Sequence, residues 1–361
     1  MNNVDKQYFD MLRYVLKNGT RKSDRTGTGT ISVFDYTLKF NLKDGFPLIT
    51  SKKLHFKSVV IELLWFLKGS TNIKWLIENG CNIWNGDCFK NYCTKNNINF
   101  DKVLPENKKE AFKMKMDEFI YNIKNSDEFS KEWGELGHIY GYQWRNWGGD
   151  TKAYDDGYND KIDQITNLIT DLKNNPDSRR LMVNAWNVGD IYDKYSNIVL
   201  PPCHYGFQCY TRELSIEERK NIWDKKVKGL HIMLYTYDNT EESWHKKYDE
   251  QNIPKRYLSL KVNIRSNDVF LGCPFNIASY GLLLTMLAKE VNMIPDQLIL
   301  SIGDAHIYSN HIEQCKQQLK QKTFKLPNIE IDDKSIFDIE YSDITLNNYE
   351  SSASIKAELS N

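Results

Sequence analysis

The sequence predicts a chain of mixed α and β structure, of the α/β or α+β class, and three observations carry that expectation. Apolar residues recur at helical spacing in some stretches and alternate at strand spacing in others. The two kinds of stretch are interleaved from one end of the chain to the other. Glycine, proline and asparagine punctuate the boundaries between them. At 361 residues the chain can bury a large core, and length alone would allow two domains.

Taken in order, the first element is an amphipathic helix, because Tyr8, Met11, Leu12, Val15 and Leu16 share one helical face and Asn18-Gly19 stops it. Ser23-Asp24-Arg25-Thr26-Gly27-Thr28-Gly29-Thr30 follows, a polar glycine loop with one cation. It lacks the spacing and the lysine of a P-loop, and alone it is more often a turn than a site. Alternation over 31–40 predicts a strand that turns at Asp44-Gly45. Lys52, Lys53 and His55 lead into 59–67, a helix apolar almost all round and therefore buried. Glu62 lies inside that run. A buried carboxylate costs several kcal/mol unless it is paired or hydrogen-bonded, and burial raises its pKa toward the range useful for proton transfer. A structural hydrogen bond explains it equally well at this stage.

From Asn85 to Glu132 the composition turns polar and lysine-rich. It predicts a surface excursion at about 86–132, helical around 108–123, inserted into the fold. A second insert of the same character spans about 212–256, with a helix near 216–226. Between them come Gly141-Tyr142-Gln143-Trp144-Arg145-Asn146-Trp147, a helix over 162–172, and Arg179-Arg180 opening a strand over 181–186. Adjacent residues on a strand point to opposite faces, yet both arginines could reach one phosphate lying at the strand end.

Leu200-Pro201-Pro202-Cys203-His204-Tyr205-Gly206-Phe207-Gln208 places one thiol after a proline pair that cannot continue a helix and before a run that reads as a buried strand. A lone cysteine is more often core filling than nucleophile. Its company further along the chain reverses those odds. A strand over 258–264 ends in Arg265-Ser266-Asn267-Asp268, and a mostly apolar helix over 277–291 follows Gly272-Cys273-Pro274-Phe275-Asn276. A strand over 299–302 then precedes Gly303-Asp304-Ala305-His306-Ile307-Tyr308.

Composition excludes several classes of function. The 48 basic and 48 acidic residues cancel, so no net field draws DNA or an anionic membrane, and any phosphate must be small and met locally. Seven cysteines, scattered at 81, 88, 93, 203, 209, 273 and 315, argue for a reducing compartment over a disulfide framework. Cys81, Cys88 and Cys93 lack C-x-x-C spacing and a nearby histidine, so no metal is expected. The apolar runs at 59–67 and 277–288 are too short to span a membrane, and a soluble cytoplasmic protein is expected. What remains is one thiol, four cations at Arg25, Arg179, Arg180 and Arg265, and the amide of Asn276, which together suit a nucleotide site. Arginines hold phosphate by charge-assisted bonds, and one beside Cys203 would favour the reactive thiolate. An asparagine side chain offers the donor and acceptor that a uracil edge requires, whereas an aspartate would suit cytosine.

Seven blocks in this order resemble the folate-dependent thymidylate synthase family. They are Asp24 to Thr30, Glu62-Leu63-Leu64-Trp65-Phe66-Leu67, Pro176 to Arg180, Pro202-Cys203-His204, Arg265-Ser266 with Asp268, Pro274 to Tyr280, and His306 with Tyr308-Ser309-Asn310-His311. The match covers nearly the whole chain outside the two inserts. The resemblance implies a single domain over 1–361 whose large mixed sheet packs against that of a second identical subunit, with helices on the other face. It implies that Cys203 attacks C6 of dUMP, activating C5 to accept a one-carbon unit and then a hydride from methylenetetrahydrofolate, which gives dTMP and dihydrofolate. Arg25, Arg265 and Ser266 would hold the phosphate of dUMP, with Arg179 and Arg180 reaching across from the partner subunit, and Gln208 would also bind dUMP. Asn276 would read the uracil, while His306 and Tyr308 would bind the deoxyribose hydroxyl. Glu62, Tyr140, His204 and Asn276 would organise the proton relay. Asp268 would meet the pterin, Ile83, Trp84, Leu271, Gly272 and Phe275 would line the folate slot, and Lys52 would lie toward the glutamyl tail.

Some positions depart from the family pattern. Asn85-Gly86-Asp87-Cys88 stands where Asp-Glu-Trp-Ala is usual, Ser351-Ser352-Ala353 replaces Pro-His-Pro, and Asn361 replaces an apolar final residue. Arg265-Ser266-Asn267-Asp268 is also similar to the form in sister hydroxymethylases, which make the same adduct but let water capture the methylene. A dUMP hydroxymethylase is therefore the alternative, since excluding water is what prevents that side reaction. A non-catalytic nucleotide- or RNA-binding relative is a further alternative, weakened by the retained nucleophile, Glu62 and arginines.

Overall fold

The first helix is set by its ends. Asn2 accepts a hydrogen bond from the Asp5 N–H, α1 (Asn3–Asn18) buries the predicted apolar face, and the Gly19 N–H closes on Val15. The computed structural model describes residues 1–24, 27–100, 105–148, 161–193, 196–227 and 240–358. After α1 come β1 (Thr20–Lys22), β2 (Thr30–Asn41), α2 (Phe56–Leu67), α3 (Lys74–Glu78), α4 (Asn85–Lys95), α5 (Pro105–Asn125), α6 (Asp127–Trp133), α7 (Gly141–Asn146) and α8 (Gln164–Asn174). Next are β3 (Met182–Asn184), α9 (Val188–Tyr192), β4 (His204–Glu213), α10 (Ile216–Val227), α11 (Glu241–Glu250), β5 (Arg256–Asp268) and α12 (Gly272–Glu290). The last are β6 (Ile294–Tyr308), α13 (Ile312–Gln318), β7 (Asn328–Ile331) and β8 (Ile344–Asn347).

Six strands form one mixed sheet in the order β1-β2-β6-β5-β4-β3, and β7 pairs with β8 separately. Only β5 and β6 are parallel within the large sheet. Helix α12 makes that crossover, as a parallel pair requires, and buries Ile277, Leu283, Leu284 and Leu287 in the core. Helix α2 is buried on nearly every side and lies against α12 and α7. Gly141 permits the α7 contact, because a Cβ there would stand 2.7 Å from the Phe66 carbonyl oxygen. Asp5 ties α1 to the segment before α2 by accepting the N–H groups of Thr50 and Ser51.

Four features differ from the sequence expectation. Strand β5 continues through Asp268 and β6 through Tyr308, so Arg265 to Asp268 and Gly303 to Tyr308 lie on paired strands rather than in loops beyond them. Strand β3 is only three residues long, and Arg179 and Arg180 sit exposed in the turn before it. They therefore do not alternate across a sheet. The stretch at 86–132 is three helices, not a surface excursion with one: Phe89, Phe119 and Ile123 join the main core, with Tyr92, Phe129 and Trp133 packed against it. The stretch at 212–256 holds a second helix, α11, which closes with α10 over a small separate cluster of Trp223, Tyr248 and Ile253. Among the described residues no helix is long and apolar enough to cross a membrane.

Candidate active site

Cys203 is distinguished by exposure. The other six cysteines are buried and Cys203 alone is partly exposed. Burial pushes Cys81 up to about 11 and Cys88, Cys209 and Cys315 up to about 12, which holds those thiols protonated and inert. Cys203 ends the Pro201-Pro202 turn one residue before β4. Its N–H donates to the Tyr140 hydroxyl at 2.8 Å, and its carbonyl accepts from the Arg265 N–H at 2.8 Å. The Arg265 guanidinium holds the same turn, with Nε donating to Pro202 O at 2.9 Å and Nη2 to Pro201 O at 2.8 Å. Nη2 also stands 3.8 Å from the Cys203 sulfur, where its positive charge favours a thiolate.

Behind the thiol lies an aromatic wall. The His204 ring stacks on Tyr140 at 4.1 Å between centroids, and Phe66 packs on Tyr140 at 4.8 Å. His204 Nδ1 shares a hydrogen bond of 2.7 Å with the Tyr280 hydroxyl. Burial lowers the His204 pKa to about 3, so the imidazole is neutral at physiological pH. Tyr140 holds φ at 26°, which strains a bulky residue, and α7 begins immediately after it.

Glu62 projects from α2 beside this wall. Trp84 donates its indole N–H to Glu62 Oε1 at 2.8 Å, and the Trp84 ring lies 5.9 Å from that of Tyr140. The residue keeps some accessible surface, but protein encloses the carboxyl. Desolvation raises its pKa to about 7, against the lowering effect of the indole bond. A carboxyl poised there can both give and take a proton.

The ends of β5 and β6 bring the remaining candidates together. Asp268 Oδ1 accepts the N–H groups of Phe270 and Leu271 in the turn just before α12. Asn276, in the first turns of α12, accepts at Oδ1 from Asn267 Nδ2 at 2.8 Å. Asp268 faces His306 across the β5–β6 pair, and His306 Nδ1 lies 3.0 Å from Asp304. The His306 and Tyr308 rings meet edge to face at 5.1 Å. Ser266 pairs in register with Asp304 and is partly exposed. Ile83, Leu271, Gly272 and Phe275 are partly exposed and Trp84 is 7 % exposed, so apolar surface remains open near Glu62 and Asp268.

Other candidates stand apart. The Arg179 and Arg180 guanidinium groups make no hydrogen bond or ion pair among the described residues; Gln208 reaches only the Arg179 carbonyl, at 3.4 Å. Lys52 is 5 % exposed, donates to Phe270 O and lies 3.6 Å over the Phe270 ring. Burial lowers its pKa to about 8. Arg25 and Asn361 lie outside the described residues. Among the described residues no group of three His, Cys, Asp or Glu side chains is placed to hold a metal ion.

Three partners escaped the sequence reading: Trp84 on Glu62, Tyr280 on His204 and Asn267 on Asn276. Only Tyr280 left a signal, since it lies four residues after Asn276 and hence on the same helical face.

The sequence also matches a known family along nearly its whole length. The family model described as Thymidylate synthase matches residues 6–361. The chain is similar to the thymidylate synthase of Listeria monocytogenes serotype 4a (strain HCC23), 40% identical over 98% of this chain and 99% of the relative. It is equally similar to that of Listeria innocua serovar 6a, at 40% with the same coverage. That of Mesoplasma florum is 39% identical over 98% of this chain and 99% of the relative.

Proposed function

Because the chain belongs to the thymidylate synthase family, we propose that Cys203 is the nucleophile through which it transfers one carbon to C5 of dUMP. The reaction is the reductive methylation of dUMP to dTMP. The relatives carry the synthase name, so the hydroxymethylase alternative is not favoured. The observation that carries the assignment of Cys203 is its partial exposure beside Arg265, where every other thiol is buried.

In this reading the Cys203 thiolate forms an S–C6 bond and the C5=C6 electron pair shifts toward O4, which makes C5 nucleophilic. Methylenetetrahydrofolate supplies the one-carbon unit and the hydride. Glu62, near neutrality, exchanges protons with the pyrimidine through water, and Tyr140 and the neutral His204 hold the thiol's turn and the water in place. Asn276 reads the uracil edge. Arg265, Ser266 and Arg25 hold the phosphate, Gln208 also contacts dUMP, and His306 and Tyr308 take the deoxyribose hydroxyl. The apolar surface of Ile83, Trp84, Leu271, Gly272 and Phe275 receives the folate ring, and the Asp268 carboxylate meets the pterin. Lys52 would reach the folate tail only after leaving Phe270.

The active unit is a homodimer, with Arg179 and Arg180 supplied across the interface to the phosphate. Supporting this, both guanidinium groups are unpartnered within the described residues. Phe34 and Tyr210 are also 87% and 68% exposed on strands of the large sheet, where a second sheet packed face to face would cover them. Seven free thiols suit the cytoplasm.

The test is a product assay with dUMP and methylenetetrahydrofolate. Equal amounts of dTMP and dihydrofolate are expected, and Cys203→Ser should lower kcat by at least about a thousandfold. Hydroxymethyl-dUMP with tetrahydrofolate would overturn the reading.

A further inference from the structure

Asn276 does not act alone. Its Oδ1 is tethered by the Nδ2 of Asn267, 2.8 Å away at the end of strand β5, and Asn267 is 3% exposed. The other amide atom of Asn267, Oδ1, is buried without a hydrogen-bond partner among the described residues. Buried amides are ordinarily satisfied, and an exception calls for a reason. The Asn276 Nδ2 likewise has no partner among the described residues, while the residue itself remains partly exposed. One amide thus spends its donor on orienting a second amide, whose own donor is left open.

We infer that Asn267 is a specificity-determining positioning residue, which sets the orientation of the Asn276 amide and thereby selects uracil over cytosine. This rests on the reading of Asn276 as the base-contacting residue. With Oδ1 of Asn276 pinned by Asn267, its Nδ2 is presented as a donor. The second lone pair of Oδ1 still accepts. Uracil matches that pattern with an acceptor at O4 and a donor at N3. Cytosine has a donor at the 4-amino group and an acceptor at N3, so it requires the Asn276 amide to turn over. Turning it over brings the Asn276 Nδ2 against the Asn267 Nδ2, two donors facing each other, unless the buried Asn267 amide turns too. A site whose polar groups are prearranged for one partner rejects its polar inverse strongly.

The experiment measures binding of dUMP, dCMP and deoxyribose 5-phosphate, together with kcat and KM for dUMP, on the full-length protein and three variants. Asn267→Leu removes the tether at nearly constant volume. It should weaken dUMP binding about tenfold and shrink the dUMP-to-dCMP preference by a similar factor. Asn267→Asp substitutes an acceptor where the donor stood, which favours the turned-over Asn276 amide, and should move the preference toward dCMP beyond the Leu variant. Deoxyribose 5-phosphate lacks the base and should bind all variants as the parent does, which shows that the site is folded. Equal loss of dUMP and dCMP affinity in both Asn267 variants, with sugar-phosphate binding intact, would overturn the inference. Asn276→Asp separates the two readings. If it leaves the base preference unchanged, Asn276 does not contact the base; if it changes the preference while both Asn267 variants do not, only the role of Asn267 fails.

Discussion

Glu62 and His204 belong to one cluster, yet burial moves their protons in opposite directions. Glu62 has a folded pKa of about 7, above the ordinary 4.5. Its contribution to stability is therefore complete below pH about 4.5 and is lost as pH rises through about 7. The swing is roughly 3 kcal/mol. Denaturant unfolding of Glu62→Gln should lack that dependence, so the variant gains on the parent by about 2–3 kcal/mol between pH 4.5 and 8. The same variant should lose the limb near pH 7 from its kcat profile. His204 is depressed to about 3 from 6.5. Its contribution is present above pH 6.5 and is lost as pH falls toward 3, so His204→Asn should lose less stability than the parent on acidification over that range. Cys203, Glu62 and the arginines were legible as residues in the sequence, because a carboxyl in an apolar helix and a thiol after Pro-Pro are local anomalies. Their partners were not legible. Trp84 and Glu62 are brought together by packing across 22 positions, and no local pattern encodes that.

At the scale of elements, the helices at 85–133 show how composition can hide a core. Lysines dominate α5, but Phe89, Tyr92, Phe112, Phe119, Phe129 and Trp133 form a chain of ring contacts at 5.0–5.8 Å. A solvated decoration would tolerate Phe119→Ala within about 0.5 kcal/mol. As a fully buried ring it should instead cost about 3–5 kcal/mol, read as a shift in the urea midpoint at unchanged slope. Helices α1 and α8 were legible because their apolar faces are periodic and Asn2 and Asp163 cap them locally, and α2 and α12 because they are long apolar runs. The ends of β5 and β6 were not, because Arg265, Ser266, Asp268 and His306 are polar where alternation predicts nothing. Strand pairing with the neighbouring strand holds them straight, and function sets their side chains.

For the whole molecule, the placement of Arg179 and Arg180 makes a prediction about mixtures. Cys203→Ala and the Arg179→Ala, Arg180→Ala double variant should each be nearly inactive as homodimers. Mixed under conditions that allow subunit exchange, they should recover about a quarter of the parent activity if the proposed homodimer shares its arginines, since each mixed dimer would then hold one site with an intact thiol and intact arginines from the other subunit. Activity that stays at zero, with exchange verified by mass, would place the arginines in their own subunit's site. The segment just before α2 has a different kind of dependence. The Tyr349 hydroxyl donates to Ile49 O and accepts from the Leu54 N–H, and the Ser352 N–H donates to Thr50 O, although Tyr349 and Ile49 are 300 positions apart. During translation, at about 5–20 residues per second, roughly 15–60 s separate the emergence of that segment from the arrival of its strap. Through that interval the segment that leads into α2, a helix buried on nearly every side in the finished fold, waits without the bonds that fasten it.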